Sequence, residues 1–108
     1  MIIKPWGYEQ IIQQNDNYVV KKLFMKNGER CSLQKHVFKL ETIVVLDGVL
    51  TITIDGYNED YSNYNHVSIP PNTIHRMSAK NGDVLYLECS TNHLDDVIRI
   101  EDDYQRAL

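Results

Sequence analysis

Apolar and polar residues alternate along most of this chain, and turn-forming residues break the alternation at short intervals. The clearest run is 49–55, where every second residue from Leu50 to Ile54 is apolar and threonines lie between them, as in a half-buried strand. Asn-Gly and Asp-Gly pairs at 27–28, 47–48, 55–56 and 81–82 predict turns between such strands. Strands are expected at 8–13, 18–25, 32–38, 42–46, 49–55, 66–69, 75–79, 84–90 and 97–100, and one helical turn at 102–108. The pattern predicts an all-β sandwich or barrel.

Residues 1–7 are expected to form an N-terminal arm. Ile2 and Ile3 suit a short edge strand, and Pro5 introduces a bend next to the large side chain of Trp6. Trp6 has two interpretations. It packs within its own chain, or it anchors an arm that is exchanged between the subunits of a dimer, because the edges of a sheet need to be covered.

Length and charge restrict the classes of protein and partner. At 108 residues the chain is expected to be one domain, residues 1–108. The net charge is -4 and the basic residues are scattered, which argues against a nucleic-acid partner. No window approaches the ~18 apolar residues of a membrane span, and two cysteines without a secretory segment suggest reduced thiols. We therefore expect a cytoplasmic protein that binds neither membranes nor nucleic acid.

Candidate metal ligands are concentrated in residues 28–48. Gln34 and His36 are two positions apart and would share one face of a strand, and Glu41 opens the next apolar run. An amide oxygen, an imidazole and a carboxylate suit a divalent cation, and His75 is the candidate for a further imidazole. The alternative is a metal-free cavity lined by hydrogen-bonded polar side chains.

These residues resemble the two sequence motifs of the cupin superfamily. Residues 28–48 are similar to the first motif, with Gln34 at a position where many cupins have histidine. Residues 64–79 are similar to the second motif, with Tyr64 and Asn72 at positions where glycine is usual. The resemblance implies a single-domain double-stranded β-helix, also called a jelly-roll barrel.

Three segments, in order, resemble a narrower family, the type II phosphomannose isomerase domain that is usually fused behind a mannose-1-phosphate guanylyltransferase. The segments are Lys4-Pro5-Trp6-Gly7, then 32–36, and finally 95–106 with its Arg-x-Glu-Asp stretch. Val37 and Phe38 depart from the family, since many type II enzymes continue with histidines there, and Gln105 replaces a glycine. The resemblance implies a homodimer that acts on a small sugar phosphate.

The resemblance implies a metal-dependent aldose–ketose isomerase, most simply one that converts mannose-6-phosphate to fructose-6-phosphate through a cis-enediol. We expect Zn²⁺ at Gln34, His36, Glu41 and His75, with Mn²⁺, Fe²⁺, Ni²⁺ or Co²⁺ as alternatives. The resemblance also assigns Arg99 to substrate binding or enediolate stabilisation, and Arg106 to substrate binding. Position alone suggests Arg76 as a phosphate ligand, and the candidate catalytic bases are Glu88, Lys22 and Glu101.

Two other functions remain open at this stage. A non-catalytic cupin that binds a sugar or metabolite would show saturable binding without proton exchange at the substrate. An Fe(II) dioxygenase would use an overlapping ligand set, although Gln34 in place of histidine disfavours it. Iron content and oxygen uptake distinguish the dioxygenase from the isomerase.

Overall fold

The structure is a computed structural model that describes residues 1–106. Its regular structure consists of short antiparallel strands. The strands are β1 (Ile2–Lys4), β2 (Gly7–Gln14), β3 (Val19–Met25), β4 (Leu33–Lys35), β5 (Glu41–Asp47), β6 (Leu50–Ile54), β7 (Tyr57–Tyr61), β8 (His66–Ile69), β9 (His75–Ser78), β10 (Val84–Ser90) and β11 (Ile98–Glu101). The part of the chain described contains no helix, so the helical turn expected at 102–108 is wrong for residues 102–106. Its last two residues lie outside the described range.

The strands form two sheets. One has the order β1-β2-β3-β10-β5-β8 and the other has the order β11-β4-β9-β6-β7. Strands distant in sequence are neighbours in both sheets, as in the jelly-roll barrel that the cupin resemblance implies. The all-β prediction is therefore confirmed.

Strand β3 shows how the alternation of the sequence places charged groups inside the barrel. Val19, Leu23 and Met25 are buried and belong to the inward face, and Lys21 shares that face with them. Lys22 alternates with this set and lies on the opposite face. A buried lysine among apolar neighbours is costly unless it faces polar groups, so the inward face of β3 must border a polar interior.

Strand β4 is shorter than the predicted segment 32–38. It contains three residues, and the chain leaves the sheet after Lys35. The backbone N–H groups of Val37, Phe38 and Lys39 donate to the carboxylate of Asp96 instead of to a neighbouring strand. A side chain from a distant loop has replaced the sheet partner, and the local sequence pattern contains no sign of this.

Turns in the two cupin-like motifs need left-handed backbone conformations. Gly48 has a φ of 82°, and a Cβ atom there would lie 2.3 Å from the carbonyl oxygen of Asp83, so only glycine fits. Tyr64, Asn72 and Gln105, which stand where the families have glycine, have φ values of 66°, 61° and 61°. The backbone therefore keeps the conformation that glycine would adopt, at the steric cost of a side chain.

The N-terminal arm folds onto its own chain. β1 pairs with β2 in a hairpin that places Lys4 opposite Gly7, and Trp6 is 5% exposed and packs in the core. These contacts favour the packing interpretation of Trp6. Ile2 and Ile3 on the edge strand are exposed, and the expected homodimer stays a prediction.

Two further observations concern the cysteines and membrane-spanning helices. Cys31 and Cys89 are both free thiols, as expected. Within residues 1–106 no helix is long and apolar enough to cross a membrane.

Candidate metal centre and cavity

Three predicted metal ligands converge between the sheets. His36 follows β4, Glu41 opens β5 and His75 opens β9, and one ligand atom from each lies within 4.8 Å of the others. Oε1 of Glu41 is 3.0 Å from Nε2 of His75 and 3.8 Å from Nε2 of His36. The three side chains are almost completely buried.

The far sides of both imidazole rings are held by backbone carbonyl groups. Nδ1 of His75 donates to the carbonyl oxygen of Thr73 at 2.8 Å, and Nδ1 of His36 donates to that of Asp96 at 2.5 Å. A carbonyl oxygen only accepts, so the proton of each neutral ring is on Nδ1 and the Nε2 lone pair faces Glu41. This is the arrangement in which histidine binds a metal through Nε2.

The inner atoms of the cluster need a positive charge. Within the described residues, both Nε2 atoms and both carboxylate oxygens of Glu41 are buried and none makes a hydrogen bond of good geometry, although Nε2 of His75 lies 3.0 Å from Oε1 and Nζ of Lys39 lies 3.2 Å from Oε2. Burial alone would raise the pKa of Glu41, but a hydrogen bond donated by His75, when that ring carries a second proton on Nε2 in the absence of metal, and the charge of Lys39 outweigh burial and bring the pKa to about 2, so the carboxylate is ionised. A proton placed between Glu41 and His75 would satisfy one pair and leave Nε2 of His36 unpaired. A divalent cation would satisfy all three residues, and the donor set therefore fits a metal.

Lys39 is a buried cation beside this cluster. Its Nζ lies 3.2 Å from Oε2 of Glu41 and 3.1 Å from Oε2 of Glu88. Burial would lower the pKa of Lys39, but the two carboxylates outweigh it and the pKa is raised. Burial and the charge of Glu41 raise the pKa of Glu88 in turn. Glu41 thus directs one oxygen towards the histidines and the other towards Lys39.

A cavity of about 360 Å³ adjoins the cluster. His36, Gln34 and Lys39 form part of its wall, and Trp6 and Tyr86 contribute apolar surface. Five basic and three acidic side chains also line it: Lys4, Lys21, Lys39, Arg99 and Arg106, with Glu9, Glu88 and Asp95. A polar cavity with a surplus of cations is suited to an anionic guest.

Sequence comparison identifies the family of this chain. The model described as mannose-6-phosphate isomerase C-terminal matches residues 1–102 of the chain. This chain belongs to the mannose-6-phosphate isomerase C-terminal family. A mannose-1-phosphate guanylyltransferase from Salmonella muenchen is 33% identical over 106 residues, which are 93% of this chain and 22% of that protein. The chain spans about a fifth of the length of the curated relatives that it matches.

Solved structures confirm the cupin fold. KdgF from a Halomonas species superposes with a TM-score of 0.81 at 16% identity, over 88% of this chain and 86% of that one. A candidate sugar phosphate isomerase from Acidithiobacillus ferrooxidans superposes with a TM-score of 0.66 at 16% identity, over 71% and 51% of the two chains. At these identities the likeness shows the fold alone.

Of the other residues that the resemblance to this family implied, Gln34 and Arg99 lie at the cavity. Gln34 is opposite both His75 and Arg99 in the sheet, so the three side chains share a face. Oε1 of Gln34 accepts a hydrogen bond from Ser32, and its role as a fourth ligand stays a prediction. Nε of Arg99 is buried without a partner among the described residues. Arg106 lines the cavity, but Asp102 binds its guanidinium at 2.7 and 3.1 Å.

Arg76 and Lys22 do not reach the cavity. Arg76 follows His75 on β9 and therefore points to the other face, where it donates to the carbonyl oxygens of Cys31 and Glu101. Arg76 does not line this cavity, its role as a phosphate ligand stays a prediction, and its contacts join β9 to β11. Lys22 lies on the outer face of β3, so the structure removes it from the candidate bases and places Lys21 in the cavity.

Lys39 and Asp96 belong to the site but were not among the residues predicted for it from the sequence. Lys39 had a detectable signal, because it lies inside the first motif between two predicted ligands, His36 and Glu41. Asp96 had none, because its role depends on a loop that meets the first motif only after folding. Of the candidate bases, Glu88 lines the cavity, whereas the side chain of Glu101 is 68% exposed.

Proposed function

We propose that this chain is a metal-dependent sugar-phosphate isomerase that interconverts an aldose and a ketose, most simply mannose-6-phosphate and fructose-6-phosphate. The observation that carries the proposal is the convergence of His36, Glu41 and His75, with inward-facing atoms that lack partners, beside a cation-rich cavity. Membership of a family named after mannose-6-phosphate isomerase supports this reaction class.

His36, Glu41 and His75 would hold the metal, with Gln34 as the proposed fourth ligand. Zn²⁺ is the proposed ion, because imidazole and carboxylate ligands suit it and it undergoes no redox change. A cation bound there would hold and polarise the two neighbouring sugar oxygens at which the reaction takes place. The backbone carbonyl groups of Thr73 and Asp96 keep both imidazoles oriented for this role.

Glu88 is the proposed base. The isomerisation breaks the C–H bond at the second carbon, and its electron pair forms the double bond of the enediol while the carbonyl double bond of the first carbon opens onto its oxygen. That oxygen gains a proton, and the oxygen of the second carbon loses one when the ketone forms. Glu88 would accept the proton of the broken C–H bond and return it to the first carbon, which is the task of a carboxylate with a raised pKa inside a cavity. Lys39 would hold Glu88 in place through its contact of 3.1 Å.

Arg99 is proposed to stabilise the charge that develops on the sugar oxygens. It lies opposite Gln34 in the sheet, which places it next to the metal ligands, and its Nε has no partner among the described residues. A half-buried arginine whose buried Nε has a free donor can bind a developing oxyanion without first breaking a protein contact. Arg106, paired with Asp102, has no such free donor on its Nε.

The test is NMR of the zinc-loaded protein with mannose-6-phosphate in D₂O, following fructose-6-phosphate and deuterium at the second carbon. We expect conversion that a chelator stops and Zn²⁺ restores. Binding of the sugar phosphate without conversion or exchange would favour the non-catalytic cupin. Oxygen uptake by an iron-loaded sample would favour the dioxygenase.

A further inference from the structure

Six charged side chains of alternating sign cross the inward side of the larger sheet towards the metal ligands. Lys4 and Lys21 flank Glu9, with Nζ atoms 4.0 and 3.5 Å from the same oxygen, Oε1. Glu88 is opposite Lys21 on the neighbouring strand, and Lys39 joins Glu88 to Glu41. The row ends at the candidate metal centre.

The three lysines of this row differ in the number and length of the contacts that their ammonium groups make with carboxylates. Lys39 contacts two carboxylates at 3.1 and 3.2 Å, so its charge is already matched. Lys21 contacts one carboxylate oxygen at 3.5 Å, longer than the ~2.8 Å of a charge-assisted hydrogen bond, although its side chain is only 10% exposed. Lys4 shares that oxygen at 4.0 Å. The two ammonium groups of Lys4 and Lys21 thus share one carboxylate oxygen, and neither makes a short charge-assisted hydrogen bond to it.

The position of Lys4 and Lys21 relative to the candidate metal centre suits a ligand that is bound at both of its ends. Lys21 on β3 and Glu41 on β5 are separated by β10 and offset by two residues along the strands, so about 12 Å lies between their backbones. Lys21 lines the cavity, and so do His36 and Lys39, which lie 3.8 and 3.2 Å from the carboxylate of Glu41. A six-carbon sugar phosphate carries its reacting carbons at one end and its phosphate at the other.

We propose that Lys4 and Lys21, held by Glu9, form a subsite for the phosphate group of the substrate. The proposal rests on the proposed function, because that function puts the reacting carbons of the same molecule at the metal centre. Arg99 is beside Gln34 at the metal end, Arg106 is paired with Asp102, and Arg76 is on the outer face. Lys4 and Lys21 are therefore the cavity cations that are both under-coordinated and distant from the metal ligands.

The experiment measures dissociation constants by titration calorimetry on the zinc-loaded full chain, with mannose-6-phosphate and mannose as probes. For Lys21→Gln we expect the constant for mannose-6-phosphate to rise about tenfold or more, with the constant for mannose unchanged. The matched control is Lys22→Gln, the same substitution one residue away on the outer face, which should change neither constant by more than about twofold. Circular dichroism and zinc content verify that each variant is folded and loaded.

A second substitution tests the sign of the effect. Glu9→Gln removes the negative charge between the two lysines, so we expect tighter binding of mannose-6-phosphate. A purely structural role of Glu9 would not improve binding. If Lys21→Gln fails to fold, Lys4→Gln replaces it, because Lys4 lies on an edge strand and its side chain is 27% exposed.

Inorganic phosphate, titrated with and without a chelator, separates the subsite from direct binding to the metal. We expect binding that survives the chelator and is weakened in Lys21→Gln. The proposal is overturned if phosphate binding requires the metal and ignores Lys21, if only Arg99→Gln weakens it, or if the wild-type protein binds no phosphate. Lys21-dependent binding without isomerisation would contradict the proposed function alone. Isomerisation with Lys21-independent binding would contradict the subsite alone.

Discussion

Asp96 binds the segment around His36 twice. Its backbone carbonyl oxygen lies 2.5 Å from Nδ1 of His36, and its carboxylate accepts hydrogen bonds from the backbone N–H groups of residues 37, 38 and 39. These three hydrogen bonds lower the pKa of the Asp96 carboxyl group. One residue of a distant loop therefore sets both the orientation of the ring and the path of the chain that follows it.

Removing the Asp96 carboxylate should weaken metal binding. In Asp96→Ala the loop loses its attachment to residues 37–39, and the carbonyl group that orients His36 moves with it. We expect the zinc dissociation constant to rise by about tenfold, at the lower end of the range for residues that support metal ligands. Competition with a chromophoric chelator measures it.

The control for this prediction is Asp16→Ala, at an exposed turn outside the site. Its zinc affinity should equal that of the wild-type protein. An unchanged zinc affinity in Asp96→Ala would show that β4 and β9 alone hold His36 in place.

His75→Ala should abolish tight zinc binding. His75 is fully buried, its Nδ1 is held by Thr73, and its Nε2 lies 3.0 Å from Glu41, so no neighbouring group can replace it as a ligand. Metal analysis after zinc loading and dialysis gives the stoichiometry. His66→Ala, which removes an exposed histidine, should keep full zinc content. Equal zinc content in the two variants would remove His75 from the ligand set.

Lys39→Met should destabilise the metal-free protein. It leaves the carboxylates of Glu41 and Glu88 buried without the ammonium group that contacts both, and breaking a buried pair in this way costs about 3 kcal/mol. Zinc should recover part of that loss, because a bound cation neutralises Glu41. Urea unfolding with chelator and with excess Zn²⁺ measures both effects.

The comparison variant is Lys80→Met, at an exposed position. Its free energy of unfolding should change by less than about 0.5 kcal/mol. Equal stability of Lys39→Met and Lys80→Met in the chelator would mean that the two carboxylates share a proton once Lys39 is gone.

Asp102 should make the stability depend on pH in the acid range. Its hydrogen bond from Arg106 lowers the pKa of the carboxyl group from 3.8 to about 2 in the folded protein. A depressed pKa in the folded state adds stability above pH 4 that disappears as the pH falls towards 2. We expect the wild-type protein to exceed Asp102→Asn in unfolding free energy at pH 5, and the difference to shrink at pH 2.5.

These measurements are made with a chelator present, so that loss of metal does not contribute. Asp103→Asn is the comparison: Asp103 pairs with Arg30, but its side chain is 44% exposed and solvent screens the pair. Its effect at pH 5 should be smaller than that of Asp102→Asn. A pH-independent difference for Asp102→Asn would show that Asp102 stabilises the fold without its charge.

Much of the architecture follows from local patterns. The β-forming runs before Pro70-Pro71 and after Asn81-Gly82 predict β8 and β10 to the residue, because proline cannot continue a sheet ladder and an Asn-Gly pair favours a turn. The spacing of His36, Glu41 and His75 predicts the metal cluster. The residues lie at the positions of the two cupin-like motifs, 28–48 and 64–79, whereas the end of β4 just before His36 was not predicted.

Tertiary structure decided the remaining features of the site. Alternation shows that Lys21 and Lys22 lie on opposite faces of β3, but only the packing of the two sheets determines that the face of Lys21 is the inner one. Likewise, only the packing of the sheets determines that His75 faces inward, and Arg76, its neighbour on β9, therefore faces the other way. Contacts such as those of Asp96 with His36 and of Lys39 with Glu88 join residues about fifty or more positions apart. Local periodicity carries no information about which distant side chains will meet, because that is set by the order of strands in the sheets.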